Sequence, residues 1–161
     1  MKIGLLSDTH NYLHPNIFDH FKEVDQIWHA GDIGTIEIID DLEAFKATRA
    51  VYGNIDSGEM QKLYPEYQFF KIKNVKFLMM HIGGYPPRYN DRSKKLLNYY
   101  TPDIFICGHS HILKVMPDEK RNLLHLNPGA CGKYGWHKTK TIMRFEVLEN
   151  KIDKLEVIEL S

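Results

Sequence analysis

Histidine and aspartate residues follow several short apolar segments of this sequence directly. In the segment FICGHSH, His109 and His111 come after an unbroken apolar run and a glycine. Imidazole and carboxylate groups bind divalent cations, and no cysteine joins them to make a Cys-rich structural zinc site. Such a donor set suits Mn, Fe, Zn, Ni or Co with coordination positions left open. Five apolar segments supply the candidate metal ligands, which are Asp8, His10, Asp32, Asn54, His81, His109 and His111.

The number of these donors bears on how many ions they can bind. Seven ligands are too many for one ion that must also keep a position for a substrate. They are suited to two ions that share a bridging ligand. Packing does not explain them, since Ile or Val would serve a hydrophobic core better at such positions.

The elements that must position these donors follow from the hydrophobic pattern. In the first half, three predicted strands (KIGLLS, VDQIWHA and ATRAVYG) alternate with predicted helices at 15–22 and about 35–46. This alternation implies parallel strands joined by right-handed crossovers. The carboxyl ends of parallel strands share one edge of a sheet, where open α/β sheets bind ligands.

The second half predicts a hairpin, one helix and further strands. YQFFKI and VKFLMMH are joined by KN as a hairpin, and DRSKKLLNYY is predicted to be a helix that stops before Pro102. The remaining predicted strands are DIFICG, ILKVMP, NLLHLN, KTIMRFEVL and KIDKLEVIEL. The expected fold class is α/β, with two mixed sheets packed face to face and helices outside.

Composition limits the classes of partner. The 161 residues suit one domain, 1–161, and Lys plus Arg equals Asp plus Glu at 21 each. Without a basic excess, no long nucleic acid is expected as a partner. No apolar run approaches the roughly 20 residues of a membrane span, so no membrane partner is expected. The two cysteines form no CxxC pair, and we expect a reducing, cytoplasmic location.

Taken in order, these motifs resemble those of a known family, the calcineurin-like metallophosphoesterase superfamily. The matching motifs are D-x-H at 8–10, G-D at 31–32, G-N-x-D at 53–56, the lone His81, and G-H-S-H at 108–111. The compact length and the segment NPGACGKYG, residues 127–135, are similar to the small bacterial phosphodiesterase branch. The resemblance implies a four-layer α/β/β/α sandwich.

The resemblance also implies an activity and a set of ligands. The expected enzyme is a metal-dependent phosphodiesterase that acts on a small phosphate ester, with homo-oligomerisation left open. Two divalent ions are implied, with Mn preferred over Ni, Fe, Zn or Co, and a bridging hydroxide would attack phosphorus. One ion would bind Asp8, His10, Asp32 and His111. The other would share Asp32 and bind Asn54, His81 and His109.

The chain departs from the family pattern in two places. Many relatives have histidine where this chain has Ile55, and that histidine is a candidate acid for the leaving group. No catalytic acid is therefore identified in this chain. The loop at 82–92, which begins IGGYPPRYN, also differs from that of many relatives. We expect its Tyr85, Arg88 and Tyr89 to line the mouth of the site.

Several residues near the motifs have two interpretations each. His29 either orients a ligand or is a buried, hydrogen-bonded strand residue. Asp56 either hydrogen-bonds a ligand histidine or closes a turn. His137 either reaches the phosphate or has no part in the site, and Cys107 is predicted to be a buried apolar residue and not a nucleophile.

A different function also stays open. A eukaryotic endosomal-sorting scaffold shares the small fold that the resemblance implies, and it acts through protein contacts with a degraded metal site. This chain keeps all seven expected ligands, which a scaffold does not need. A shared fold does not fix the function, so the scaffold remains the alternative.

Overall fold

A computed structural model describes all 161 residues. The first half contains β1 (Lys2–Leu6), α1 (Asn16–His20), β2 (Gln26–His29), α2 (Ile36–Phe45), β3 (Ala47–Ala50) and α3 (Gly58–Leu63). The second half contains β4 (Tyr67–Ile72), β5 (Val75–Met80), β6 (Gly84–Tyr85), β7 (Arg88–Tyr89), α4 (Asp91–Tyr100), β8 (Ile104–Ile106), β9 (Lys114–Asp118), β10 (Leu123–Asn127), β11 (Lys140–Val147) and β12 (Ile152–Leu160).

The predicted strands and helices are confirmed, and three elements were missed. The missed elements are α3, which has six residues, and the two-residue strands β6 and β7. None of the three is long enough to display a hydrophobic period. The pair β6–β7 is a small antiparallel hairpin that turns at Pro86 and Pro87.

The strands form two five-stranded mixed sheets. The first has the order β12-β11-β1-β2-β3, in which β1, β2 and β3 are parallel, as the sequence predicts. The second has the order β4-β5-β8-β10-β9, in which β5, β8 and β10 are parallel and the edge strands are antiparallel. The predicted hairpin is β4–β5, with Ile72 opposite Val75.

Three hydrophobic clusters separate four layers, which confirms the predicted sandwich. Between the sheets, Trp28 packs edge-on against Phe77 and Phe145, with ring centroids 4.9 and 5.6 Å away. A second cluster packs α1, α2 and α3 on the outer face of the first sheet. A third packs α4 on the outer face of the second sheet. Each sheet therefore buries both faces.

The helix α4 shows how local sequence sets the boundaries of an element. The side chain of Asn90 accepts a hydrogen bond from the Ser93 amide at 2.8 Å, which caps the first turn. Leu96 and Leu97 face the sheet and are buried. Thr101 ends the helix in the left-handed conformation, and Pro102 follows it as predicted. None of the four helices combines the length and the apolar character that a membrane crossing needs.

Candidate metal centre

All seven predicted ligands lie at the carboxyl ends of parallel strands. Asp8 and His10 follow β1, Asp32 follows β2, and Asn54 follows β3. From the other sheet, His81 follows β5, and the pair at 109 and 111 follows β8. The two sheets pack face to face, so these loops meet at one end of the sandwich.

Six of these side chains form two groups whose donor atoms converge. The first group is Asp8, His10 and His111, and the second is Asp32, His81 and His109. Within each group the donor atoms all lie within 4.8 Å of one another. The seventh residue, Asn54, joins the second group, with its Oδ1 3.0 Å from His109 Nδ1.

The Asp32 carboxylate lies between the two groups. Its Oδ2 is 3.3 Å from Nε2 of His10 in the first group and 3.2 Å from Nε2 of His81 in the second. Asp8 Oδ1 is similarly central, 3.1 Å from Nε2 of His111 and 3.8 Å from Nε2 of His10 and of His81. The two groups therefore form one continuous cluster.

Each buried carboxylate uses its two oxygens differently. Asp8 Oδ2 accepts hydrogen bonds from Ser7 Oγ at 2.6 Å and from the His109 amide at 3.2 Å. Asp32 Oδ1 accepts from the Ile55 amide at 3.1 Å. The bonds from His109 and Ile55 connect separate loops, and all three bonds leave the other oxygen of each carboxylate facing the imidazole nitrogens.

The backbone at the cluster is strained. Asp8, His10, Asp32, His109 and His111 all have positive φ, between 45° and 68°. Residues other than glycine reach this left-handed region at a cost of about 1–2 kcal/mol each. Such strain persists where the surrounding structure enforces it, and it concentrates at functional sites. Asp and His adopt this conformation more often than most residues other than glycine, but they are also common elsewhere, so their identity alone does not predict it.

The pKa values at the cluster reflect strong pairing. Burial alone would raise the pKa of Asp8, but pairing with the imidazoles of His10 and His111 and the charge of His81 hold it well below its usual range. Burial alone would lower the pKa of His81, but its pairing with Asp32 and the charge of Asp8 raise it. The carboxylates are therefore ionised, and a cation at this point would replace protons, so that metal binding would release them.

His29 braces the ligand loops from behind. Its ring is buried, and its Nδ1 accepts a hydrogen bond from the Gly31 amide at 3.1 Å. The other nitrogen, Nε2, therefore carries the proton and donates it to Thr9 Oγ1 at 3.0 Å. Burial lowers the pKa of His29 to about 3, so the ring stays neutral. Of its two predicted interpretations, the buried, hydrogen-bonded strand residue is confirmed.

Asp56 closes a turn and does not contact a ligand histidine. Its carboxylate accepts hydrogen bonds from the amides of Ile33 at 3.2 Å, Gly34 at 2.8 Å and Gly53 at 2.7 Å. It therefore clamps the loop that carries Asp32 onto the loop that carries Asn54. The approach is so close that a Cβ on Gly53 would collide with the Asp32 carboxylate.

The donor atoms at the centre fit a divalent metal. Asp8 Oδ1, His10 Nε2 and His81 Nε2 are buried and have no hydrogen-bond partner. Buried polar atoms are nearly always satisfied, so three such atoms aimed at one region are placed to ligate a cation. His81 Nδ1 lies 2.8 Å from the Ala30 carbonyl, an arrangement that orients metal-binding histidines.

A cavity of about 820 Å³ opens directly onto the cluster. It is lined on one side by 109–112 and on the other by 133–137. His137 Nε2 donates to the Gly132 carbonyl at 2.9 Å, and its Nδ1 is buried without a partner. His137 lies near the centre, with its ring 5.2 Å from the ring of His111.

The loop at 82–92 does not line this cavity, so that expectation is wrong. The hairpin β6–β7 turns the Tyr89 side chain inward, where its hydroxyl donates to Asp118 Oδ2 at 2.7 Å. The Nζ atom of Lys114 lies 4.3 Å from the ring centroid of Tyr85. The Arg88 side chain is exposed and has no partner. Only Ile82 lies near the ligands, in a smaller cavity of about 190 Å³ beside Asn54 and His81.

The sequence pointed to His137 in the second wall of the cavity, but Tyr134 and Trp136, which line the same wall, were missed. The aromatic residues Tyr134 and Trp136 flank Gly135 there, and they are exposed. The available signal was the pair of aromatic residues in a Gly-rich segment after the last ligand. Cys107, by contrast, is buried as predicted, and burial raises the pKa of its thiol well above the usual value.

The chain was compared with protein families and with curated proteins. Residues 1–150 match the family model for the calcineurin-like phosphoesterase superfamily domain. A probable metallophosphoesterase from Methanocaldococcus jannaschii is 35% identical over 170 residues, covering 99% of this chain and 82% of the relative. A phosphodiesterase from the same organism is 32% identical over 152 residues, covering 83% of this chain and 86% of the relative.

Solved structures share the whole fold at lower identity. A novel archaeal phosphodiesterase superposes with a TM-score of 0.77 at 23% identity, covering 98% of this chain and 100% of the other. Wild-type Vps29 from Entamoeba histolytica, complexed with Zn²⁺, superposes with a TM-score of 0.71 at 19% identity, covering 100% of both chains. With the matching family model and the two relatives above 30% identity, these results show that the chain belongs to the calcineurin-like phosphoesterase superfamily.

Proposed function

We propose that the chain, as a single domain of residues 1–161, is a phosphodiesterase with a dinuclear metal site. The observation that carries the proposal is the position of Asp32 Oδ2, 3.3 Å from His10 Nε2 and 3.2 Å from His81 Nε2. A carboxylate between two groups of nitrogen donors is placed to bridge two cations. The family membership and the curated phosphodiesterase relative support the reaction class.

The proposed ligand sets follow the two groups of the cluster. One ion is held by Asp8, His10, Asp32 and His111, and the other by Asp32, Asn54, His81 and His109. The mixture of imidazole and oxygen ligands suits Mn²⁺, with Ni, Fe, Zn or Co as alternatives. Bound by these residues, two such ions would polarise the phosphoryl oxygens and activate a water molecule as the nucleophile.

The protein's own part in the reaction is positioning. Hydrogen bonds from Ser7, His109 and Ile55 hold the outer oxygens of the two carboxylates, so their inner oxygens stay aimed at the centre. Asp56 and His29 hold the loops on which these residues lie. A rigid set of donors needs little rearrangement as charge develops on the phosphate in the transition state.

The loop at 53–56 places no side chain where it could protonate the leaving group. The Ile55 side chain is exposed beside the cluster and has no acidic proton to donate. General acid catalysis contributes about 10²–10⁴-fold, and its absence is felt most with poor leaving groups. We therefore propose that diesters of acidic alcohols, such as phenols, react fastest, and that the substrate is a small ester.

Activity assays on purified protein test the proposal. We expect the Mn²⁺-loaded protein to hydrolyse bis(p-nitrophenyl) phosphate, and alkyl diesters to react far more slowly. Removing the metal with a chelator should abolish hydrolysis, and adding Mn²⁺ should restore it. A protein that turns over no phosphate ester with Mn, Ni, Fe, Zn or Co would instead support the scaffold function, for which the fold likeness to Vps29 is the supporting observation.

A further inference from the structure

We propose that segment 133–137 binds the ester group of the substrate by stacking a planar aromatic ring, aryl or nucleobase, on Trp136. The inference rests on the proposed phosphodiesterase function, because it names the ester group that the site accepts. The cavity between 109–112 and 133–137 is about 820 Å³, a size that holds a small-molecule ligand. His109 and His111 are among its lining residues, so a phosphate at the ions leaves its ester group inside this cavity.

Segment 133–137 is held against the metal ligands by hydrogen bonds and close contacts. The Gly132 amide donates to the Asp8 carbonyl at 3.1 Å, and the Gly132 carbonyl accepts from His137 at 2.9 Å. The Tyr134 ring lies 5.0 Å from the His10 ring at a tilt of 32°. Gly135 adopts φ 126° and passes so close that a Cβ there would collide with the His111 ring.

Within this fixed segment, Trp136 is the side chain without a partner. Its side chain is fully exposed, at 101%, and it packs against no other aromatic ring of the chain. The fold therefore gains nothing from an indole at this position. The opposite wall of the cavity carries the apolar side chain of Ile112, which is 57% exposed. A planar ring can be covered by the indole on one face and contact Ile112 on the other side.

A cation beside the indole adds complementarity for a phosphate ester. Lys133 lines the same cavity, and its Nζ lies 4.0 Å from the ring centroid of Tyr12. The contact with Tyr12 restrains the ammonium group. Phosphate anions and an attached ring therefore meet a cation and an aromatic face in one cavity. Base stacking on an aromatic side chain improves binding by about 5-fold or more.

Phosphonates test this inference without any chemical step, because their C–P bond is not hydrolysed. The probes are methylphosphonate, benzylphosphonate, cyclohexylmethylphosphonate and a thymidine phosphonate, titrated into Zn²⁺-loaded protein by calorimetry. We expect the benzyl and thymidine probes to bind at least about 5-fold more tightly than methylphosphonate. The relative affinity of those two probes tells an aryl from a nucleobase preference. Trp136→Ala should abolish the preference for aromatic probes, and Trp136→Phe should keep it. The control is Tyr99→Ala, which should leave the preference unchanged because Tyr99 is an exposed aromatic residue on α4.

Tryptophan fluorescence gives an independent reading of the same contact. The chain has two tryptophans, and Trp28 is fully buried, so an aromatic probe reaches only Trp136. Quenching by benzylphosphonate and not by cyclohexylmethylphosphonate is the expected result.

Three results would overturn the inference while the proposed function stands. The first is an equal affinity for all probes, and the second is an unchanged preference for aromatic probes in Trp136→Ala. The third is a change in the sedimentation of that variant with no change in probe binding, because this result would assign Trp136 to a contact between copies of the chain. If no phosphonate binds the metal-loaded protein, the proposed function itself fails.

Discussion

The metal cluster and segment 133–137 lie side by side, yet they are built in opposite ways. Asp8, Asp32 and His81 are almost fully buried, and each forms a hydrogen bond with another loop. Tyr134 and Trp136 in the neighbouring segment are 69% and 101% exposed. Burial and strain fix the donors that would bind the metal ions, whereas the exposed side chains can adjust to the ester group of the substrate. We infer that the two regions separate the rate of the reaction from the choice of substrate.

The largest effect is expected at the buried cluster, in Asp32→Asn. Because Oδ2 of Asp32 lies between the two groups of donors, the substitution weakens both proposed ions at once. We expect kcat/KM for an aryl diester to fall by about 10²-fold or more. Steady-state kinetics on the Mn²⁺-loaded variant measure it. A variant that keeps more than a tenth of the activity would remove Asp32 from the account.

The next effect concerns the clamp behind the cluster, in Asp56→Ala. This carboxylate accepts three backbone hydrogen bonds, and hydrogen bonds to a charged group are the strong ones. We expect the free energy of unfolding to fall by roughly 2–4 kcal/mol, measured by urea denaturation. Asp153→Ala is the matched control, since that carboxylate is exposed and forms no hydrogen bond. Equal losses in the two variants would mean that the clamp adds nothing to stability.

Much of the cluster could be predicted from the sequence, because each ligand directly follows an apolar strand. The sequence left two interpretations open for His29 and two for Asp56, because Thr9 and Ile33, partners that help to decide between them, lie 20 and 23 residues away and only the fold brings them together. The loop at 82–92 was placed wrongly because a short hairpin turns Tyr89 towards Asp118. Trp136 escaped notice because one exposed aromatic residue has no periodicity to reveal it.

His125, which lies outside the cluster, shows how burial changes the pKa of a histidine that no carboxylate raises. Burial lowers the pKa of His125 to about 4, and the positive charge of Lys114 adds to this effect. Between the usual value near 6.5 and pH 4, the unfolded chain binds a proton that the folded chain does not. The contribution of His125 to the free energy of unfolding is therefore fully present above pH 6.5. It falls by up to roughly 3 kcal/mol as the pH approaches 4.

The variant His125→Leu removes this titration. We expect the fall in unfolding free energy between pH 6.5 and pH 4 to become shallower in the variant, measured by urea denaturation at several pH values. Parallel curves for the two proteins would contradict the prediction.

The smallest effect is expected in the loop at 82–92. Arg88 is exposed, has no partner and lines neither cavity near the ligands. We expect Arg88→Ala to change kcat and KM by less than about 2-fold, because surface substitutions of this kind have small effects. Kinetics on the same aryl diester measure both constants. A rise in KM with kcat unchanged would instead place Arg88 against the substrate.

Two cations are proposed to share Asp32, and the number of bound ions tests this sharing most directly. The measurement is elemental analysis of the protein after Mn²⁺ loading and dialysis, alongside calorimetric titration of the metal-free protein. We predict two ions per chain at saturation, and a lower number for Asp32→Asn because that variant weakens both sites. Saturation at one ion per chain or fewer would contradict the account.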